Sequence, residues 1–124
     1  MKIRGIAADV LDLLLRLGEE SHPYEFAAIL TEEDGVITGV DLVPGTVGTE
    51  ESAHVLLDML PLGIHNAGSA HSHPNGVLLP SDADLRFFPR TGGRYHLIIG
   101  APYGPSDWAC FTADGTPHDL AVIG

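Results

Sequence analysis

Two short segments of the sequence carry side chains that could hold a metal ion. The first is His71-Ser72-His73-Pro74, and the second is Pro80-Ser81-Asp82-Ala83-Asp84. Residues two apart on a β-strand point to the same face of the sheet, so His71 and His73 can present two imidazoles side by side. Asp84 would lie in the first turn of the helix that follows. Two histidines and one carboxylate, with a fourth position left to water, are typical of a catalytic zinc site rather than a closed structural one.

Each segment alone has a simpler explanation. A His-x-His pair is by itself a weak indication of metal binding. Ser81 and Asp84 can form an ordinary helix capping box, with serine as the N-cap and a carboxylate three residues later. The two segments together are more specific, because a capping box does not explain two histidines on one face just upstream of it. Pro74 and Pro80 also fix both ends of the intervening loop.

The elements that would position these residues follow from hydrophobic periodicity and turn residues. Apolar residues at helical spacing predict a helix over residues 4–20, Asp34-Gly35 predicts a hairpin, and Pro89 is expected to close a helix that Ser81 begins. The predicted elements are a helix at 4–20, strands at 25–31 and 36–43, a loop at 45–52, a strand or short helix at 53–60, a strand at 68–72, a helix at 81–88, and strands at 95–100, 108–112 and 118–122.

This order of elements predicts an α/β or α+β layered fold. A mixed, mostly antiparallel sheet would be flanked by the N-terminal helix and by a short helix after the strand that carries the two histidines. At 124 residues the chain is expected to be a single domain over residues 1–124, long enough to bury a core of its own.

The candidate site resembles the signature of the JAMM (MPN+) metalloprotease family. His71-Ser72-His73-Pro74, six intervening residues and Ser81 to Asp84 match the family pattern His-x-His-Pro…Ser-x-x-Asp. The segment 22–30 is similar to the upstream Pro-x-Glu strand start of the family and contains Glu25. The resemblance covers nearly the whole chain, as in the minimal archaeal members. It implies an MPN or cytidine-deaminase-like fold.

The resemblance also implies a role for each residue. His71, His73 and Asp84 would be ligands of one Zn²⁺, which lowers the pKa of bound water to about 7. Glu25 would be the general acid/base that takes the proton of this water and delivers it to the leaving amine. Ser81 would hydrogen-bond the carbonyl oxygen as it becomes an oxyanion. The assignment of Glu25 depends on the family match more than on its local surroundings.

The implied reaction is hydrolysis of a peptide or isopeptide bond after the C-terminal Gly-Gly of a ubiquitin-like modifier, whose extended tail would add as a strand. The partners would be ubiquitin-like modifier proteins or their conjugates. Two other functions stay open. One is a non-catalytic MPN-type interaction scaffold, although such scaffolds lack the ligands that this chain has. The other is a hydrolase related to the members associated with DNA repair.

Composition restricts the partners further. The chain has 6 basic and 17 acidic residues and a net charge of −11, which repels phosphate backbones and anionic lipids. We therefore expect neither a nucleic acid nor a membrane surface as partner. Cys110 is the only cysteine, so an internal disulfide and a thiolate zinc cluster are excluded. The sequence shows no signal peptide and no apolar run of membrane-spanning length, so the expected location is cytoplasmic.

The other residues capable of chemistry have simpler explanations. Ser72 should face the side of the strand opposite to the two histidines, and Cys110 is expected to be a small buried hydrophobe. The apolar loop residues 77–79 either fold over the core or line a substrate groove. Five further histidines have no partner at metal-ligand spacing and are predicted to be structural or exposed: His22, His54, His65, His96 and His118.

Overall fold

The computed structural model describes residues 2–43, 57–60, 62 and 64–124. In chain order its elements are β1 (Gly5–Ala7), α1 (Ala8–Ser21), β2 (Ala27–Glu33), β3 (Val36–Leu42), β4 (His65–His73), α2 (Asp82–Thr91), β5 (Tyr95–Gly100), β6 (Trp108–Thr112), β7 (Pro117–His118) and β8 (Ala121–Ile123). No helix within the described ranges is long and apolar enough to span a membrane.

The strands form one mixed sheet in the order β7-β6-β5-β4-β2-β3-β1-β8. The pairings of β4 with β5, β1 with β3 and β1 with β8 are parallel, and the remaining pairings are antiparallel. β4 lies near the middle of the sheet, between β2 and β5, so its side chains are buried on both faces. The predicted mixed and mostly antiparallel sheet is confirmed.

Helices α1 and α2 cover opposite faces of this sheet. α1 buries an apolar stripe that includes Leu14, in a core shared with Leu30 of β2 and Leu97 of β5. The neighbouring residues Ile29 and Ile98 point the other way and pack with Phe87 and Phe88 of α2. The alternation along the strands therefore builds two cores, one under each helix, and confirms the layered architecture.

The N-terminal helix begins later than predicted. Residues 5–7 form β1, which pairs with β3 and β8, and α1 begins at Ala8. Ile6 fits the helical spacing but is a strand residue in the core. A Cβ atom on Gly5 would collide with the Ala121 carbonyl oxygen, so this glycine allows the strands to approach closely. Pairing with distant strands overrides the local helical pattern here.

The end of α2 was also predicted wrongly. The helix passes through Pro89 to Thr91, and Gly92 adopts the left-handed conformation with φ 73° that ends it. Tertiary contacts hold this last turn, because the Asn66 side-chain amide donates to the Thr91 carbonyl oxygen at 2.6 Å. Thr91 Oγ1 also donates to the Phe88 carbonyl oxygen at 2.9 Å.

Other boundaries differ by smaller amounts. β2 begins at Ala27 rather than residue 25, β4 begins at His65 rather than residue 68, and the predicted strand 118–122 is split into β7 and β8 at opposite edges of the sheet. Asp34 and Gly35 have φ values of 52° and 82°, as the predicted hairpin requires. The predicted loop at 45–52 lies outside the described residues. Of the ambiguous segment 53–60 only residues 57–60 are described, and Leu57 and Asp58 are helical.

Candidate metal centre

Strand β4 carries both predicted histidines on the face covered by α2. His71 and His73 are buried, and both rings approach the same carboxylate, that of Asp84. Ser72 between them points to the opposite face, where its Oγ accepts a hydrogen bond from the Phe26 backbone N–H at 2.7 Å. The alternation expected of a β-strand is confirmed at all three positions.

The capping box of α2 directs Asp84 toward the histidines. Ser81 is the N-cap, and its Oγ accepts from the Asp84 backbone N–H at 3.1 Å. In return the Ser81 backbone N–H donates to Asp84 Oδ2 at 2.9 Å. The capping explanation and the ligand explanation are therefore compatible, because the cap orients the carboxylate that would bind the metal.

His73 is held at both ring nitrogens. Its Nδ1 donates to the Val77 carbonyl oxygen at 2.8 Å, and its Nε2 lies 3.0 Å from Asp84 Oδ2. The hydrogen bond with Asp84 raises the pKa of His73 above its ordinary value, against the opposing effect of burial. Because Nδ1 is engaged by a backbone carbonyl, Nε2 is the atom that His73 presents to the site.

His71 presents the other nitrogen, since its Nδ1 lies 3.8 Å from Asp84 Oδ1. The ring meets Phe87 edge-on, with 5.0 Å between centroids. Burial lowers the pKa of His71 to about 4, so the ring is neutral, as a metal ligand must be. Burial of Asp84 opposes ionisation, but hydrogen bonds from His73 and Ser81 outweigh it and lower the Asp84 pKa to about 2.

The three side chains match zinc in their donor chemistry, with two imidazole nitrogens and one carboxylate. Ligands at 2.0–2.2 Å from a tetrahedral ion are separated from one another by about 3.3–3.5 Å. The two measured separations, 3.0 Å and 3.8 Å, fall on either side of this range. Among the described residues, no three His, Cys, Asp or Glu side chains are already set at full metal-ligand spacing. Binding would therefore require a small adjustment of Asp84 between the two rings.

Glu25 lies two residues before the start of β2 and is exposed. The next residue, Phe26, makes two hydrogen bonds with Ser72. Its N–H donates to Ser72 Oγ, and its carbonyl oxygen accepts from the Ser72 N–H at 3.0 Å. This pairing brings the Glu25 charge close enough to raise the pKa of His73. Glu25 therefore lies near His73, and its role as acid/base stays a prediction.

Comparison with known proteins decides the family. The family described as prokaryotic homologs of the JAB domain matches residues 7–112. The chain belongs to the JAB (JAMM/MPN) family. A Haloferax volcanii protein named "probable metalloprotease" is 46% identical over 132 residues, which cover 98% of this chain and 81% of that relative.

Solved JAMM structures share the fold. A JAB1/MPN domain protein from Archaeoglobus fulgidus has a TM-score of 0.81 and 31% identity, with both chains covered in full. A structure described as the JAMM metalloprotease-like zinc site in the proteasome and signalosome has a TM-score of 0.75 and 26% identity, covering 99% of this chain and all of that one. The layered fold is therefore that of a metalloprotease-like JAMM domain.

Two further residues, Ser69 and His96, lie behind the candidate site and were not predicted from the sequence. Ser69 Oγ lies 2.9 Å from His71 Nε2 and 2.6 Å from His96 Nδ1. His96 had been assigned no partner, yet it is fully buried and aligned with Ser69 in the β4–β5 register. The one available signal was a polar side chain inside the otherwise apolar strand 95–100. Burial lowers the pKa of His96 to about 4, so this ring is neutral.

The remaining predictions have mixed outcomes. Cys110 is buried as expected, and burial raises the pKa of its thiol to about 12. The three residues of the loop 77–79 have different surroundings. Leu78 packs against the core under α2, whereas Val77 and Leu79 are 48% and 63% exposed. His22 is hydrogen-bonded to the Tyr103 hydroxyl at 2.9 Å, away from the JAMM site. His54 lies outside the described residues.

Proposed function

We propose that this chain is a zinc-dependent peptidase or isopeptidase that cleaves after the C-terminal Gly-Gly of a ubiquitin-like modifier. The observation that carries the proposal is the convergence of His71, His73 and Asp84 beside Glu25, in a chain that belongs to a metalloprotease-like family. Ubiquitin-like modifier proteins or their conjugates would be its partners.

The three converging side chains would hold one Zn²⁺ through His71 Nδ1, His73 Nε2 and the Asp84 carboxylate. When bound, zinc supplies a Lewis acid and makes water a strong nucleophile near neutral pH. The protein orients the donors through the Val77 carbonyl and the Ser81 cap, so little side-chain freedom would be lost when the ion binds.

Glu25 would take the proton of the attacking water and later give it to the leaving amine. The Glu25 carboxylate is exposed, and the backbone of the next residue, Phe26, is hydrogen-bonded to Ser72 of β4, which limits the movement of Glu25. The Ser81 hydroxyl would donate to the carbonyl oxygen as negative charge develops on it. Such a donor is typically worth about 10²–10³ in rate.

The rim of the site supports a protein substrate. Tyr24, next to Glu25, is 77% exposed, and Val77 and Leu79 are exposed in the loop that holds His73. Exposed apolar side chains next to Glu25 and next to the His73 loop are suited to a polypeptide, whose tail would bind in extended form. The net charge of −11 disfavours nucleic acid as the alternative substrate.

The decisive experiment is incubation with a conjugate of a ubiquitin-like protein ending in Gly-Gly, followed by mass spectrometry of the products. We expect cleavage after the second glycine, loss of activity with a chelator and recovery with zinc. Glu25→Gln should retain stoichiometric zinc but abolish cleavage. Near-native turnover in Glu25→Gln would show that Glu25 is wrongly assigned, and a purified chain without zinc affinity would favour a scaffold.

A further inference from the structure

A hydrogen-bonded relay runs from His71 into β5, behind the candidate ligands. His71 Nε2 lies 2.9 Å from Ser69 Oγ, which lies 2.6 Å from His96 Nδ1. The relay ends at the Gly93 carbonyl oxygen, 3.2 Å from His96 Nε2. The three side chains are buried, and the His96 ring is stacked on Phe88, with centroids 4.1 Å apart and 9° between the planes. The relay is therefore fixed by strand register and by packing.

Donor and acceptor chemistry determines the direction of the relay. The Gly93 oxygen can only accept, so His96 Nε2 carries a proton. Complete burial of His96 disfavours its charged form, so its Nδ1 keeps a lone pair and accepts the single hydroxyl proton of Ser69. Ser69 Oγ must then accept from His71 Nε2–H. The His71 Nδ1 atom, which faces Asp84, is left with its lone pair.

We propose that Ser69 and His96 are positioning residues that hold His71 in the tautomer protonated at Nε2 and so make its Nδ1 available to a metal ion. This inference rests on the proposed function, because it takes His71 to be a ligand. A relay running the other way would place the proton on Nδ1 and block the ligand atom. Loss of a hydrogen-bond partner that orients a ligating histidine typically weakens metal binding 10–100-fold.

Two substitutions of His96 separate its role as a hydrogen-bond acceptor for Ser69 from its role in packing. His96→Phe keeps a ring that can stack on Phe88 but offers Ser69 no acceptor, so the hydroxyl can donate to His71 Nε2 instead. His96→Asn loses the ring but keeps a side-chain oxygen near the position of Nδ1. A residue that only filled space would show the larger defect in the Asn variant.

Zinc affinity, measured by competition with a chromophoric chelator at fixed pH, is the first readout. We expect it to fall about 10–100-fold in His96→Phe and to stay within about threefold of native in His96→Asn. Ser69→Ala breaks the relay directly and should resemble His96→Phe. His118→Phe is the matched control, because His118 also stacks on an aromatic ring, Tyr95 at 4.3 Å, but has no part in the relay. Equal affinities in His96→Phe and the native chain would overturn the proposal.

The second readout is the tautomer of His71 in the zinc-free protein, from long-range ¹H–¹⁵N NMR spectra. We expect the Nε2–H form in the native chain and in His96→Asn, and a shift toward the Nδ1–H form in His96→Phe. An Nδ1–H ring in the native chain would refute the proposed direction. A native chain with the Nε2–H tautomer that binds no zinc would contradict the proposed function instead, so the two failures are distinguishable.

Discussion

The capping box of α2 allows the structural and the metal-binding roles of one turn to be measured separately. Ser81→Ala removes the oxygen that accepts from the Asp84 N–H at 3.1 Å, but the Ser81 backbone N–H can still donate to Asp84 Oδ2. Asp84→Asn keeps an oxygen for that backbone donor and removes the negative charge that a metal ion needs. The first change should therefore weaken the helix, and the second should weaken the metal site.

The expected changes in Tm can be worked out from the chain length. Loss of a serine N-cap costs about 1 kcal/mol, and the unfolding entropy of 124 residues is about 0.26 kcal/mol per kelvin, so Ser81→Ala should lower Tm by about 4 °C. Free zinc at about one hundred times its Kd stabilises the native chain by about 2.7 kcal/mol, which corresponds to a rise of about 10 °C. This zinc-induced rise should survive in Ser81→Ala and disappear in Asp84→Asn.

Thermal unfolding of each variant with a chelator and with excess zinc is the assay. The comparison uses the difference in Tm between excess zinc and chelator for each variant, so a change in its zinc-free stability cancels. If Asp84→Asn kept the zinc-induced rise, another group would be the third ligand. If Ser81→Ala lost the zinc-induced rise, the capping role of Ser81 could not be separated from the binding of zinc by Asp84. Cleavage by zinc-loaded Ser81→Ala should fall about 10²–10³-fold, and unchanged cleavage would leave Ser81 with the capping role alone.

Two further predictions concern buried groups near the site. Burial lowers the pKa values of His71 and His96 to about 4, below the value of about 6.5 in the unfolded chain. The unfolded zinc-free chain thus binds more protons between these values, and its free energy of unfolding should fall by about 1.4 kcal/mol per pH unit for each histidine as pH drops from 6.5 toward 4. Denaturant titrations across this range should show a shallower slope in His96→Phe, and an equal slope would contradict the neutral buried ring. Ser72→Ala leaves the Phe26 N–H without its acceptor, so stability should fall by about 1–3 kcal/mol and turnover should drop with zinc retained, because Phe26 anchors Glu25. Unchanged turnover would show that this bond does not position Glu25.

The proximity of His71, His73 and Asp84 could be predicted because these residues belong to motifs that are local in the sequence. His71 and His73 share a face through strand alternation, and Ser81 and Asp84 form a motif of four residues. His96 could not be found in this way, since its contact with Ser69 depends on the parallel register of β4 and β5, which neither strand specifies alone.

The errors in the fold have the same origin. Ile6 continues the apolar spacing of α1, but its backbone pairs with β3 and β8. The segment 118–122 is apolar enough for one strand, yet its two ends belong to β7 and β8, which form the opposite edges of the sheet. Local periodicity describes which residues are buried, whereas the choice between strand and helix at these positions is made by distant partners.

The three candidate ligands are oriented by partners that differ in their freedom to move. His71 is held by side chains on two paired central strands, Asp84 by the first turn of α2, and His73 by the Val77 carbonyl in the loop before that helix. Adjacent strands in the middle of a sheet move least, and loops move most. The adjustment that brings the donors to equal spacing should therefore come from Asp84 and His73, while the His71 ring stays fixed against β5. Substitutions in the loop should therefore change the rates at which a metal ion would bind and dissociate, and substitutions of Ser69 or His96 should change which His71 nitrogen is available to it.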